Sequence, residues 1–317
     1  MLVGDIGGTH GRFALAGQDL RPQRAGVENG EDHADFEAAL AAFLEKSGAR
    51  AEVAAFAVAG PVGADGGARI TNRRAWLIEP RTLERRFGFA RVIVMNDFVA
   101  QAASLPHLPP DALQTLGGPP PAPRGLKVAV GPGTGLGVAA LAPEPGGGWR
   151  PLAGEGGHVE FAATSPREWA AFEVVRRALG RVEAEAIVSG PGLGRLHGAL
   201  ATVDGVEPTA TEAPEIVAAA EAGDARALET VRLFLTMLAR FCGDLALTYA
   251  AEGGVYVCGG VAPKLAGLLD RAAFRAAFEA KAPHEAMMRA TGTMLVTSPV
   301  AGLIGCAAEG RRLLAAG

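Results

Sequence analysis

Three times in this 317-residue chain a short apolar run breaks into a glycine-rich turn: Asp5-Ile6-Gly7-Gly8-Thr9, Gly131-Pro132-Gly133-Thr134-Gly135-Leu136-Gly137 and Cys258-Gly259-Gly260-Val261-Ala262-Pro263-Lys264. A residue without Cβ tolerates positive φ and lets a ligand come close to the main chain. Successive backbone N–H groups in such turns form anion-binding concavities, and threonine hydroxyls add donors without a charge to desolvate. Together the turns suit the phosphates of a nucleotide; singly, each is equally well explained as a chain reversal. None has the G-x-x-x-x-G-K-[ST] spacing, and none is G-x-G-x-x-G between a strand and a helix, so those two nucleotide folds are disfavoured. Glycine, with 44 residues, is present at about twice its usual share.

Around these turns, short β runs alternate with amphipathic helical patterns, which predicts an α/β protein. Residues 2–6 and 12–16 predict two strands of a hairpin. Phe36, Leu40, Phe43 and Leu44 then recur at helical spacing up to Gly48. Residues 52–59 and 91–95 predict strands, and a short helix opened by Pro80 lies between them, ending near Gly88. Asn96-Asp97 leads into a helix over 98–105. Residues 106–123 hold seven prolines, a composition expected of a surface connection. Beyond it, 127–130 and 137–142 again predict two strands around a glycine turn. Both halves thus open with strand, Gly/Thr turn and strand, which predicts an internal repeat with both turns facing a cleft between domains. Downstream, 167–179, 215–222, 224–251 and 301–315 predict helices and 255–258 a buried strand. The expected domains are residues 1–108 with 300–317, and residues 109–299.

A net charge of −4 with 20% charged residues leaves no electrostatic footprint for nucleic acid and no polybasic segment for a membrane. No apolar run approaches the roughly 20 residues of a membrane helix, and the first residues do not read as a signal peptide. Cys242, Cys258 and Cys306 are widely spaced and odd in number, which argues against disulfides and a cysteine zinc site. The expectation is a cytoplasmic protein acting on small molecules.

Several polar residues stand where packing needs none. Asp5 ends an apolar strand, where a carboxylate is costly unless paired or near a cation; it reads either as a Mg²⁺-linked residue or as a hydrogen-bonded structural one. Asn96-Asp97 follows an apolar strand, the end at which α/β proteins place ligands, yet both types are also favoured helix caps. Glu155-Gly156-Gly157-His158 sets a carboxylate and an imidazole around two glycines, and Glu185 precedes Ile187-Val188 and Ser189-Gly190-Pro191-Gly192. Taken alone, His158 reads as a structural hydrogen-bonder and Glu185 as a solvated helix-end charge.

As an ordered set, Gly4-Asp5-Ile6-Gly7-Gly8-Thr9 with Arg12, Asn96-Asp97-Phe98, Gly131 to Gly137, Glu155 to His158, Ser189-Gly190-Pro191-Gly192-Leu193 and Gly259-Gly260 resembles the bacterial glucokinases over nearly the whole chain. The resemblance implies the actin-like ATPase (ribonuclease H-like) fold shared by hexokinases: two α/β domains around an interdomain cleft, the carboxyl-terminal helix returning to the first. It implies ATP-dependent phosphorylation of glucose with Mg²⁺. Asp97 would then be the catalytic base, and Asn96, Glu155, His158 and Glu185 the sugar-binding residues. Asp5, Gly7, Gly8, Thr9, Gly131, Gly133, Thr134, Gly135, Gly259 and Gly260 would hold ATP, with Asp5 reaching the metal through water and the nucleoside near Gly259-Gly260. A homodimer is the default for such folds. The chain has two departures. His10-Gly11 stands where these enzymes usually carry Asn-Ala, and the Cys/His zinc motif of the related repressor-and-kinase sugar family has no counterpart after His158. Rival readings are a kinase for fructose, mannose or an N-acetyl hexosamine, a non-catalytic sugar sensor on the same fold, and a protein-binding ATPase clamp.

Overall fold

The structure, a computed structural model, describes residues 1–70 and 76–316. It divides into two compact units. The first is Met1–Ala112 with Glu144–Ala153 and Ser298–Gly317; the second is Leu113–Pro143 with Gly154–Thr297.

In the first unit, β1 (Leu2–Ile6), β2 (His10–Ala16), β3 (Pro22–Asn29), β4 (Val53–Val58) and β7 (Arg91–Asn96) form one sheet in the order β3-β2-β1-β4-β7. A two-stranded ribbon, β5 (Ala68–Arg69) with β6 (Leu77–Ile78), lies between β4 and β7 in the chain. β1, β4 and β7 run parallel, while the hairpin β1–β2 and the edge pair β2–β3 are antiparallel. Side chains alternate across a strand, so each strand feeds two cores. Leu2, Ile6, Phe13, Phe56 and Val58 join Phe36, Leu40 and Phe43 of the helix Phe36–Ser47 in an aromatic core. Val3, Ala14, Ala55 and Ala57 face the other way, onto Leu303, Cys306 and Ala307 of the terminal helix Ala301–Ala316. The small side chains on this second face let the terminal helix come close: the Cys306 thiol reaches the Gly4 carbonyl at 3.2 Å.

The second unit repeats the plan. β8 (Leu113–Gly117), β9 (Lys127–Pro132), β10 (Leu136–Pro143), β12 (Val255–Val257) and β13 (Thr293–Val296) run in the order β10-β9-β12-β13-β8, and β11 (Trp149–Gly154) leads into the glycine–histidine loop. β9, β12 and β13 are parallel, and β9–β10 is an antiparallel hairpin. Each unit is therefore a hairpin whose first strand continues into two more parallel strands, as the repeat of strand, glycine turn and strand predicts. The long helix Ala225–Tyr249, capped by Asp224 on the Ala227 amide at 2.8 Å, buries Phe234, Leu238 and Phe241.

Two segments differ from expectation. The proline-rich stretch 106–123 contains β8, paired antiparallel to β13. Its prolines flank the strand and do not interrupt it, so the ladder loses no donor. Ser189-Gly190-Pro191-Gly192 is no isolated turn: Ser189 accepts the Gly192 amide at 3.0 Å and caps the helix Gly190–Val203, with proline in its first turn where a missing N–H costs nothing.

Candidate active site

The first unit gathers its polar residues at the carboxyl ends of three parallel strands. Ile6, Val58 and Asn96 stand side by side in register. The Ala59 amide donates to the Ile6 carbonyl at 3.1 Å, and Asn96 Nδ2 donates to the Gly60 carbonyl at 3.3 Å. This is the edge at which open α/β sheets bind ligands. Asn96 Oδ1 also accepts the amides of Phe98 and Val99, so Asn96 is the N-cap of the helix Asp97–Ser104 and Asp97 is its first residue. Both side chains are partly buried.

One residue back along β1, Asp5 points to the face covered by the terminal helix. Its side chain is one-fifth exposed, with Oδ2 3.8 Å from the Arg12 guanidinium. Gly302 lets the start of the terminal helix pass against it, since a Cβ there would lie 2.8 Å from Asp5 Oδ2. Burial raises the Asp5 pKa above its ordinary value, and the charge of Arg12 only partly opposes the shift. Past β1, the Gly7 amide donates to the His10 carbonyl at 3.0 Å and closes the turn around Gly8 and Thr9, with Thr9 and His10 exposed.

In the second unit the turns after β9 and β12 meet through their glycines. A Cβ on Gly131 would stand 2.2 Å from the Cys258 carbonyl oxygen, and Gly259 adopts φ +83°, a conformation that L side chains rarely take. Gly133 and Gly135 close the first turn by a 2.8 Å bond from amide to carbonyl, and the Gly190 amide donates to the Gly133 carbonyl at 2.8 Å, so the helix Gly190–Val203 begins against that turn. Thr134 and Gly260 are exposed. The segment after Gly259-Gly260 is the short 3-10 helix Ala262–Leu268.

The acidic and imidazole residues assemble around the same turn. Glu185 Oε2 accepts the Leu136 amide at 2.8 Å, which ties the helix Ala184–Ile187 to the end of the glycine turn and leaves Oε1 as a further acceptor. Gly157 packs so closely on β10 that a Cβ would sit 2.0 Å from the Leu136 carbonyl oxygen. That contact fixes the 3-10 turn Gly156–His158, with Glu155 before it exposed. His158 Nδ1 lies 3.3 Å from Glu183 Oε1, and ligand atoms of His158, Glu183 and Glu185 all fall within 4.8 Å of one another. Beside them a cavity of about 270 Å³ is lined by Arg181, Glu183, Glu185, Ala186, Arg195 and Leu179.

The structure thus brings Glu185 and His158 together and adds Glu183, Arg181 and Arg195, which sequence reasoning missed. Glu183 meets His158 through a backbone bridge between Glu160 and Glu183, a pairing across 23 residues for which the chain carries no local signal. Among the described residues, the group of three that could ligate a cation is His158, Glu183 and Glu185, and Asp5 is not in it.

A sequence profile for the family described as Glucokinase matches residues 2–312. The chain belongs to the glucokinase family. It is 41% identical over 315 residues to the glucokinase of Sinorhizobium fredii, covering 98% of this chain and 92% of that one. It is 39% identical over 316 residues to the glucokinase of Mesorhizobium japonicum, with 98% and 91% covered. Among solved structures it is similar to the glucokinase from an Antarctic psychrotroph, with a TM-score of 0.86, 29% identity and 98% of both chains covered. In glucokinase terms, the ordered motifs read from the sequence lie at strand ends or helix starts in their own units.

Proposed function

We propose that this glucokinase-family chain transfers the γ-phosphoryl group of ATP to the 6-hydroxyl of glucose, giving glucose 6-phosphate and ADP. The observation that carries the reading is the family match across almost the whole chain. The repeated hairpin-plus-parallel topology supports assigning both units to the actin-like ATPase (ribonuclease H-like) fold.

Phosphoryl transfer asks little covalent chemistry of a protein; it needs held reactants, neutralised phosphate charge and a group to take the hydroxyl proton. In this reading Asp97 is the base that takes the proton of the attacking hydroxyl. Asn96, already engaged as cap and with Gly60, holds Asp97 in place and contributes to sugar binding. Glu155, Glu185 and His158 bind ring hydroxyls: carboxylates only accept hydrogen bonds, so they read the hydrogens of a polyol. The backbone of Gly7, Gly8, Gly131, Gly133 and Gly135, with Thr9 and Thr134, holds phosphate, and the nucleoside lies near Gly259-Gly260. The chemistry of Asp5 fits Mg²⁺ bound with ATP, being a hard oxygen donor, partly exposed, at a strand's carboxyl end. It would hold the ion through water, and the ion would offset charge on the β- and γ-phosphates.

No helix among the described residues is long and apolar enough to cross a membrane, and all three cysteines are buried free thiols, which supports a reducing, cytoplasmic setting. A homodimer is our proposal for the assembly.

The test is a panel of separate hexoses with ATP and Mg²⁺, the phosphorylated product identified for each. Glucose should give the highest kcat/KM. A preference for fructose, mannose or an N-acetyl hexosamine would overturn the substrate, and ATP consumption indifferent to any hexose would overturn the kinase.

A further inference from the structure

We propose that Glu183 is the positioning residue of His158, fixing the proton on Nδ1 so that Nε2 meets a sugar hydroxyl as an acceptor. The inference rests on the sugar-binding role proposed for His158.

The local geometry supports this from the backbone outward. The Phe161 amide donates to the Val182 carbonyl at 3.1 Å and the Ala184 amide to the Val159 carbonyl at 2.9 Å, clamping the segment after His158 to the segment that carries Glu183. Arg181 closes the arrangement, because its Nη2 donates both to the Glu183 carboxylate and to the His158 carbonyl, the latter at 3.1 Å. The Glu183 side chain is 22% exposed and that of His158 47%, so the carboxylate is the more buried of the pair and the imidazole keeps open surface for a ligand.

A carboxylate has only acceptors and carries negative charge, so the Glu183 oxygen 3.3 Å from Nδ1 favours the ring's hydrogen on that nitrogen. In the neutral ring Nε2 then carries a lone pair. The orienting partner sets the tautomer, as it does wherever one imidazole nitrogen must be free to act. Glu185 brings an acceptor to the same group, so an acceptor at Nε2 matches it: both side chains take a hydrogen from the sugar. An exposed ion pair adds little to stability, so the role of Glu183 lies in the proton's position and not in holding the fold.

The experiment uses the full chain with ¹⁵N-labelled histidine at a pH where the ring is neutral, the His158 signals assigned by their loss in His158→Gln. The parent should show a protonated Nδ1 and an unprotonated Nε2, and glucose should shift Nε2. Glu183→Ala should move the proton toward Nε2 and raise the KM for glucose about 3- to 10-fold, with kcat and the KM for ATP close to the parent. Glu183→Gln, whose amide oxygen still accepts, should restore both the tautomer and the KM. If glucose leaves the His158 signals unmoved, the sugar role of His158 falls. If glucose shifts them but Glu183→Ala changes neither tautomer nor KM, or if Gln fails as Ala does, the positioning role of Glu183 is overturned while the sugar reading stands.

Discussion

The side-chain oxygen of Asn96 lies 2.8 Å from the amide of Phe98, and that contact settles which residue starts the helix. Asp97 shares the same amide at 3.0 Å, but the flanking position and the second bond, to Val99, belong to Asn96. Replacing Asp97 by Asn keeps an acceptor of the same shape and leaves the cap in place, so thermal melting should not move. It removes the base, and kcat should fall by about 10²- to 10⁴-fold. Steady-state rates and melting on one preparation check this; a kcat within a few-fold of the parent would make Asp97 structural. Asn96→Ala should instead cost about 1 kcal/mol of stability in denaturant unfolding.

Asp5 predicts a trade of stability against activity. Its pKa is raised in the folded chain by burial, so ionising it costs the native state more than the unfolded one. Both states are neutral at low pH, and the penalty develops as pH rises through the ordinary aspartate range, reaching full size above the raised value. Asp5→Asn should therefore melt higher than the parent at neutral pH, with the difference vanishing toward acid pH, while kinase activity falls. Melting curves across pH test the sign; a lower melting temperature at neutral pH would refute it.

Glu185 does two things at once, so a conservative change can separate them. Glu185→Gln still offers an oxygen to the Leu136 amide, so the glycine turn should persist. Weakening the acceptor on the sugar side should raise the KM for glucose by the equivalent of about 1–3 kcal/mol, with the KM for ATP much less affected. Parallel titrations of both substrates distinguish this from a general loss.

Gly157→Ala places a methyl against main chain, not against a movable side chain. The loop bearing His158 must shift, with a loss of about 1–3 kcal/mol in stability and a raised glucose KM. Denaturant unfolding and glucose kinetics on the same variant provide the check.

What could be read from the chain follows the physics of each signal. β1 and β9 are legible because buried parallel strands are continuous apolar runs, and the turns after them because glycine is conspicuous. β3 escapes notice: it is an edge strand, mostly exposed, and Pro22-Gln23-Arg24-Ala25-Gly26-Val27-Glu28-Asn29 shows no alternation. The start of the helix Gly190–Val203 is disguised because glycine and proline usually end helices, although proline in the first turn begins one. Asp97 and Glu185 come with recognisable neighbours, whereas Glu183 is an ordinary surface acid until the chain folds and puts it next to an imidazole.

The terminal helix Ala301–Ala316 supplies the second face of the first unit's sheet, although nearly the whole chain separates it from β1. A ribosome delivers Val3, Ala55 and Ala57 long before Leu303 and Ala307, so this half of the protein must wait, its alanine-rich face bare, until the helix Ala301–Ala316 has emerged. The second unit has all its strands earlier and is free to fold first. A message cut short after residue 297 would yield a polypeptide with every motif of the site but an open hydrophobic surface, prey for chaperones and proteases. The helix Ala301–Ala316 thus acts as a checkpoint: until it docks, Asp5 stands unsheltered.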